Sequence, residues 1–145
     1  MTEGTFSRLE IDSSPESLYD VAADVASYPE WASGVKEVEI LKNDADGRVD
    51  RARLVLDVGI KEIEYVLQYT HDRPNALSWV AEQGEDLKSL EGSYQFTPKD
   101  GATEVVYTLA VEPNFTFPGF LRRQAEKQIV TTALRGLRKR VAEGG

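Results

Sequence analysis

The chain contains no cysteine, one histidine and one methionine. Without cysteine there is no disulfide, no thiolate metal site and no cysteine nucleophile. With His71 as the sole histidine, a Ser-His-Asp triad or most zinc sites would have to be built on it. His71 ends a strand-like stretch beside Asp72-Arg73-Pro74, no residue run there suggests either site, and it reads as an exposed strand-end side chain. No stretch approaches the ~20 consecutive apolar residues of a membrane span. Met1-Thr2-Glu3-Gly4 lacks the basic region and apolar run of a signal peptide, so the expectation is a soluble, cytoplasmic protein. The glycines follow neither a GxGxxG nor a Walker pattern, which leaves nucleotide binding without support; no metal or cofactor is expected.

Positive charge is also scarce. The net charge of −8 argues against a nucleic-acid partner. What basic charge there is concentrates in residues 118–143, a local +5 against −13 for the remainder. This reads as the solvated face of a helix on an acidic body; the sharper alternative is transient contact with a membrane or an acidic protein partner.

A chain of 145 residues is of single-domain length, and residues 1–145 are taken as one ligand-binding domain. A domain of this size buries roughly 70% of its unfolded-chain surface and needs no covalent staple. Residues 118–143 carry the only sustained helical periodicity: Val130, Ala133, Leu134, Leu137 and Val141 form one apolar stripe. Pro118 suits the helix start, and Gly144 and Gly145 its end. Near the N-terminus, Phe6–Asp12 alternates like a strand. Ser14-Pro15-Glu16 then starts a helix with an N-cap, a proline at the first turn and a carboxylate on the dipole. Leu18, Val21, Ala22 and Val25 make its buried stripe. Pro29 disfavours a helical Tyr28 and ends it, and a second short helix is expected around Glu30–Ser33.

Six strands follow, over Val35–Lys42, Val49–Val58, Ile60–His71, Ala76–Glu82, Lys88–Thr97 and Thr103–Glu112. The links between them are of hairpin length and rich in Gly, Pro, Asn and Asp, which implies an antiparallel meander. Alternation assigns the inward face: Leu54, Leu56, Val58; Ile63, Tyr65, Leu67, Tyr69; Leu77, Trp79, Ala81; Leu90, Gly92, Tyr94, Phe96; Val105, Tyr107, Leu109, Val111. The fold class is α+β: one strand, two short helices, six strands and a long helix that covers the apolar face of the sheet.

This order, and certain residues in it, resemble the START-like superfamily, also called the polyketide cyclase/dehydrase and lipid-transport or SRPBCC superfamily, which includes coenzyme Q-binding START-like proteins. The similarity covers essentially the whole chain. It is carried by Asp24-Val25-Ala26-Ser27-Tyr28-Pro29-Glu30-Trp31, Leu77-Ser78-Trp79, Leu90-Glu91-Gly92-Ser93-Tyr94-Gln95-Phe96-Thr97-Pro98 and the terminal helix. The resemblance implies a helix-grip fold, a curved antiparallel sheet of about seven strands wrapped around the C-terminal helix with an apolar cavity between. It implies hydrophobic small-molecule ligands but no particular reaction.

By pattern alone, Tyr65, Tyr69, Trp79, Tyr94, Phe96 and Tyr107 on neighbouring strands suit either a packed core or a pocket with a few orienting hydrogen bonds. The resemblance favours the pocket, with Leu54 and Leu56 at its floor. Phe115, Phe117, Phe120 and Leu121 either anchor the start of the terminal helix or gate the pocket. The second half of that helix reads as permanent core. The first half, where the stripe face carries Arg123, Glu126 and Lys127, is expected to border the pocket mouth, with Leu121, Gln124 and Gln128 toward the ligand. Carboxylates also pair at Glu37/Glu39, Glu62/Glu64 and Glu85/Asp86; the first two pairs alternate with inward residues on a strand and are placed in water, and no catalytic residue is assigned.

The leading expectation is carriage or sensing of a lipid, isoprenoid quinone or polyketide-like compound. The alternatives are a polyketide aromatase/cyclase and a partner-binding module acting through the basic helix. A buried ionisable group in the cavity would favour the enzyme; solid interior packing would favour the module.

Overall fold

The computed structural model describes residues 4–59, 61–116 and 118–144. The chain runs β1 (Thr5–Ile11), α1 (Pro15–Ala23), α2 (Tyr28–Trp31), β2 (Val35–Asn43), β3 (Val49–Asp57), β4 (Glu62–Asp72), β5 (Ala76–Ala81), β6 (Leu87–Lys99), β7 (Ala102–Pro113) and α3 (Gly119–Ala142), with a 3-10 turn at Val25–Ser27 between α1 and α2. The seven strands form one antiparallel sheet in the order β1-β7-β6-β5-β4-β3-β2. Strands β2 to β7 are the meander that the short links require. β1 joins its far edge by pairing with β7, from Thr5 opposite Leu109 to Ile11 opposite Thr103. This is the α+β helix-grip arrangement, with α3 held against β1, β7 and α1.

The local chemistry acts as the sequence suggests at the first helix. Ser14 Oγ accepts from the Ser17 N–H at 3.1 Å, and Pro15 occupies the first turn. α2 differs from expectation. Tyr28 is helical, with φ −52° and ψ −40°, although it precedes a proline. Its ring is buried and its hydroxyl donates to the Ala22 carbonyl; this tertiary anchoring outweighs the local preference. In α1, Tyr19 is fully buried whereas Val21 is half-buried.

Two glycines allow close packing. A Cβ on Gly92 would lie 2.6 Å from the indole of Trp79, its cross-strand partner. One on Gly136 would lie 2.8 Å from the Trp31 carbonyl oxygen, so the missing side chain lets α2 approach α3. On the outer face Arg53 reaches Glu37, Glu39 and Glu64 on the two flanking strands. These belong to two of the carboxylate pairs that alternation placed in water, and Glu37, Glu39, Glu62 and Glu64 are exposed.

His71 is a further departure. It is half-buried, and both ring nitrogens are engaged: Nε2 meets the Val49 carbonyl at 2.7 Å and Nδ1 the Tyr19 hydroxyl at 2.6 Å. A carbonyl only accepts, so Nε2 carries the proton and Nδ1 accepts from Tyr19. The imidazole ties α1 to the sheet.

Candidate functional site

The inward faces of β3 to β7 do not meet α3 everywhere. Between them lies a cavity of about 120 Å³. One water needs only ~10–15 Å³, so this void exceeds an ordinary packing defect.

Strand alternation supplies most of the wall. Leu54 and Leu56 from β3, Ile63, Tyr65, Leu67 and Tyr69 from β4, Trp79 from β5, Leu90 and Tyr94 from β6, and Tyr107, Leu109 and Val111 from β7 all face it. The aromatic residues support one another. The Tyr94 and Tyr107 rings meet edge-on at 4.6 Å, and Trp79 lies 5.5 Å from Tyr107 and 5.6 Å from Tyr94. Such contacts fix ring positions by about 0.5–1.5 kcal/mol each beyond burial. Burial pushes the Tyr65, Tyr69, Tyr94 and Tyr107 phenols above their usual range, because the charged form would lose its water. They are therefore neutral hydroxyls at physiological pH. The Tyr28 hydroxyl, beside them, donates to the Ala22 carbonyl.

The α3 side of the wall is Arg122, Ala125, Glu126, Ile129 and Ala133, one helical face about 16 Å long at 1.5 Å per residue. Glu126 is only 1% exposed. Its Oε1 accepts from the Thr5 hydroxyl at 2.7 Å, and its Oε2 accepts from the Val111 N–H at 2.8 Å. The carboxylate thus satisfies a backbone N–H of β7. Trp31 and Phe115 add to the wall. The Trp31 indole N–H is buried without a partner among the described residues. Lys61 sits 4.8 Å above the Phe115 ring and pairs with Asp86 at 3.1 Å. Among the described residues no group of His, Asp and Glu could hold a metal ion, and no helix is long and apolar enough to cross a membrane.

Residues 11–138 match the family described as polyketide cyclase/dehydrase and lipid transport. The chain belongs to this family. No curated protein matches it by sequence. Among solved structures, the family fold recurs in a START superfamily protein from Mycobacterium smegmatis (TM-score 0.88, 20% identity, 98% of this chain and 99% of that one). It recurs in a protein from Thermus thermophilus (0.85, 24%, 99% of each) and in the ZhuI aromatase/cyclase of a Streptomyces species (0.77, 16%, 100% and 99%).

Of the residues expected at a family-type pocket, Leu54, Leu56, Tyr65, Tyr69, Trp79, Tyr94 and Tyr107 stand together on the wall. Phe96 does not. It is buried beyond the cavity, stacked on Tyr94 at 5.9 Å and edge-on to Tyr19 at 5.9 Å. Leu121, Gln124 and Gln128 are exposed on the opposite side of α3, because the Glu126 anchor rotates Arg122, Ala125 and Ile129 inward instead. Phe117 lies outside the described residues. Of the suggested gate, Phe115 lines the cavity, whereas Phe120 and Leu121 are 64% and 39% exposed. Arg122, Glu126 and Trp31 are wall residues that sequence reasoning misses. The available signals are an acidic residue on the anchoring face of α3 and the tryptophan of the Tyr-Pro-Glu-Trp junction.

Proposed function

We propose that the cavity binds a hydrophobic small molecule, such as a lipid, an isoprenoid quinone or a polyketide-like compound, for carriage or sensing. The observation that carries this reading is the void itself, walled by apolar and aromatic side chains where a packed core would have none. Binding rests on burial plus orientation. Each buried CH₂ contributes up to about 0.8 kcal/mol. Micromolar affinity needs about 8 kcal/mol after association costs of at least ~4 kcal/mol, so a body of roughly fifteen carbons suffices. The neutral tyrosine hydroxyls and Arg122 supply orientation. Native mass spectrometry of protein purified from its own host tests this. A co-purifying lipid-sized mass supports it; none, together with no thermal shift across a lipid and quinone panel, counts against it.

A second reading, polyketide cyclisation, is favoured by one observation: Glu126 is a buried carboxylate on the wall, a group able to serve in proton transfer. Against it, both carboxylate oxygens are occupied by Thr5, Val111 and Arg122, which suits anchoring better than proton exchange. Conversion of a linear poly-β-ketone to a cyclic product, lost in Glu126→Gln, would establish it. Transient membrane contact is supported by exposed Phe120 and Leu121 beside exposed Arg123 and Lys127. Sedimentation with anionic but not zwitterionic vesicles would test that contact.

A further inference from the structure

Among the described residues the cavity wall carries one charged pair, Arg122 and Glu126, on the first half of α3. Arg122 Nη1 lies 3.5 Å from Glu126 Oε2 and donates to the Val111 carbonyl at 3.3 Å. Among the described residues, Nε and Nη2 of Arg122 have no protein acceptor, and the side chain keeps 22% of its exposure. The cavity therefore holds a guanidinium with donors to spare whose charge is already matched. The neighbouring Lys61 is likewise paired, with Asp86, and Arg123 and Lys127 are exposed, where solvent and salt screen them.

An unpaired arginine in an apolar pocket would select an anionic head group, since charge-assisted bonds to carboxylates are strong. Glu126 reverses that preference. A second carboxylate at Arg122 would face the first within a few ångströms in a site of low dielectric, and would lose its own hydration. A ketone, quinone or ester oxygen accepts from Nε or Nη2 without either cost. Glu126 cannot move aside to relieve the conflict, because Thr5 and the Val111 N–H hold both of its oxygens.

We propose that the Arg122–Glu126 pair is a specificity filter: it admits apolar ligands headed by a neutral carbonyl and discriminates against the matching acids. This rests on the cavity being a ligand site, and the test separates the two claims. Isothermal titration at about pH 8, where a fatty acid is ionised, compares 2-tridecanone with dodecanoate. The wild-type protein binds the ketone at least about tenfold more tightly. Glu126→Gln keeps the side-chain shape and an acceptor oxygen but removes the opposing charge, and shifts the ratio toward dodecanoate by at least about tenfold. Arg122→Gln leaves the Thr5 and Val111 bonds to Glu126 in place and weakens ketone binding about threefold or more; it serves if Glu126→Gln does not fold. Preference of the wild type for dodecanoate, an unchanged ratio in Glu126→Gln, or undiminished ketone binding in Arg122→Gln overturns the filter and leaves the ligand site standing. Binding of neither probe to the wild type overturns both.

Discussion

Filling the cavity from the helix side separates a hollow interior from a packed one. Ala125 is half-buried on the wall between Arg122 and Ile129. Changing it to Phe costs helix propensity of about 0.5 kcal/mol. In a void, burial of the ring gives back up to ~1.5–3 kcal/mol, less where the mouth leaves it wet. The sum runs from neutral to about 2.5 kcal/mol stabilising. In a close-packed core the same change would overpack and cost about 1–3 kcal/mol. At ~3 °C per kcal/mol for a chain of this size, the hollow interior predicts a calorimetric Tm unchanged or raised by up to about 7.5 °C. Close packing predicts a fall of roughly 3–9 °C. Ala52→Phe is the control, because Ala52 is fully buried on β3 away from the cavity, and there the fall is expected. Ala125→Phe should also abolish ligand uptake. A Tm drop in Ala125→Phe matching that of the control would refute the reasoning.

Gly92→Ala drives a methyl into the Trp79 indole, where the gap is 2.6 Å; the expected loss is about 1–3 kcal/mol by urea titration, with an altered near-ultraviolet tryptophan signal, and unchanged values would contradict the close approach. Tyr19→Phe removes the donor to His71 Nδ1 and should cost about 1 kcal/mol; equal stability would show that the contact contributes nothing. The phenols of Tyr28, Tyr65, Tyr69, Tyr94 and Tyr107 are raised by burial, so folding favours their neutral form. That contribution is complete below the unfolded value of about 10 and declines above it, by ~1.4 kcal/mol per pH unit for each phenol. Absorbance at the tyrosinate band should therefore rise together with loss of circular dichroism above about pH 10; reversible ionisation of all the tyrosines in the folded protein is the contrary outcome.

The sheet is legible in the sequence because its signal is local. Hydrophobic alternation fixes which side of each strand faces inward, and one-residue errors would expose Leu54, Tyr94 or Leu109. The strand contribution to the cavity wall follows from that alternation. The helix contribution does not. Sequence reasoning favours Leu121, Gln124 and Gln128 because charged residues are costly indoors. Glu126 escapes that cost through Thr5, 121 positions away, and the Val111 N–H, 15 away, and no local pattern encodes such partners. The pairing of Tyr19 with His71 goes unpredicted for the same reason: their hydrogen bond spans 52 positions. Alternation reads as inward for Phe96 whether the interior there is open or filled; Tyr19 fills it.

In the proposed function an apolar ligand enters between the sheet and α3. Methyl-resolved NMR of the protein titrated with a long-chain ketone tests it directly. The expected shifts fall on Leu54, Leu56, Ile63, Leu109 and Ile129, which line the cavity, and spare Leu18 and Val25, which are buried away from it. Shifts confined to exposed Val80 and Leu41, or no shifts at saturating ketone, would contradict the account.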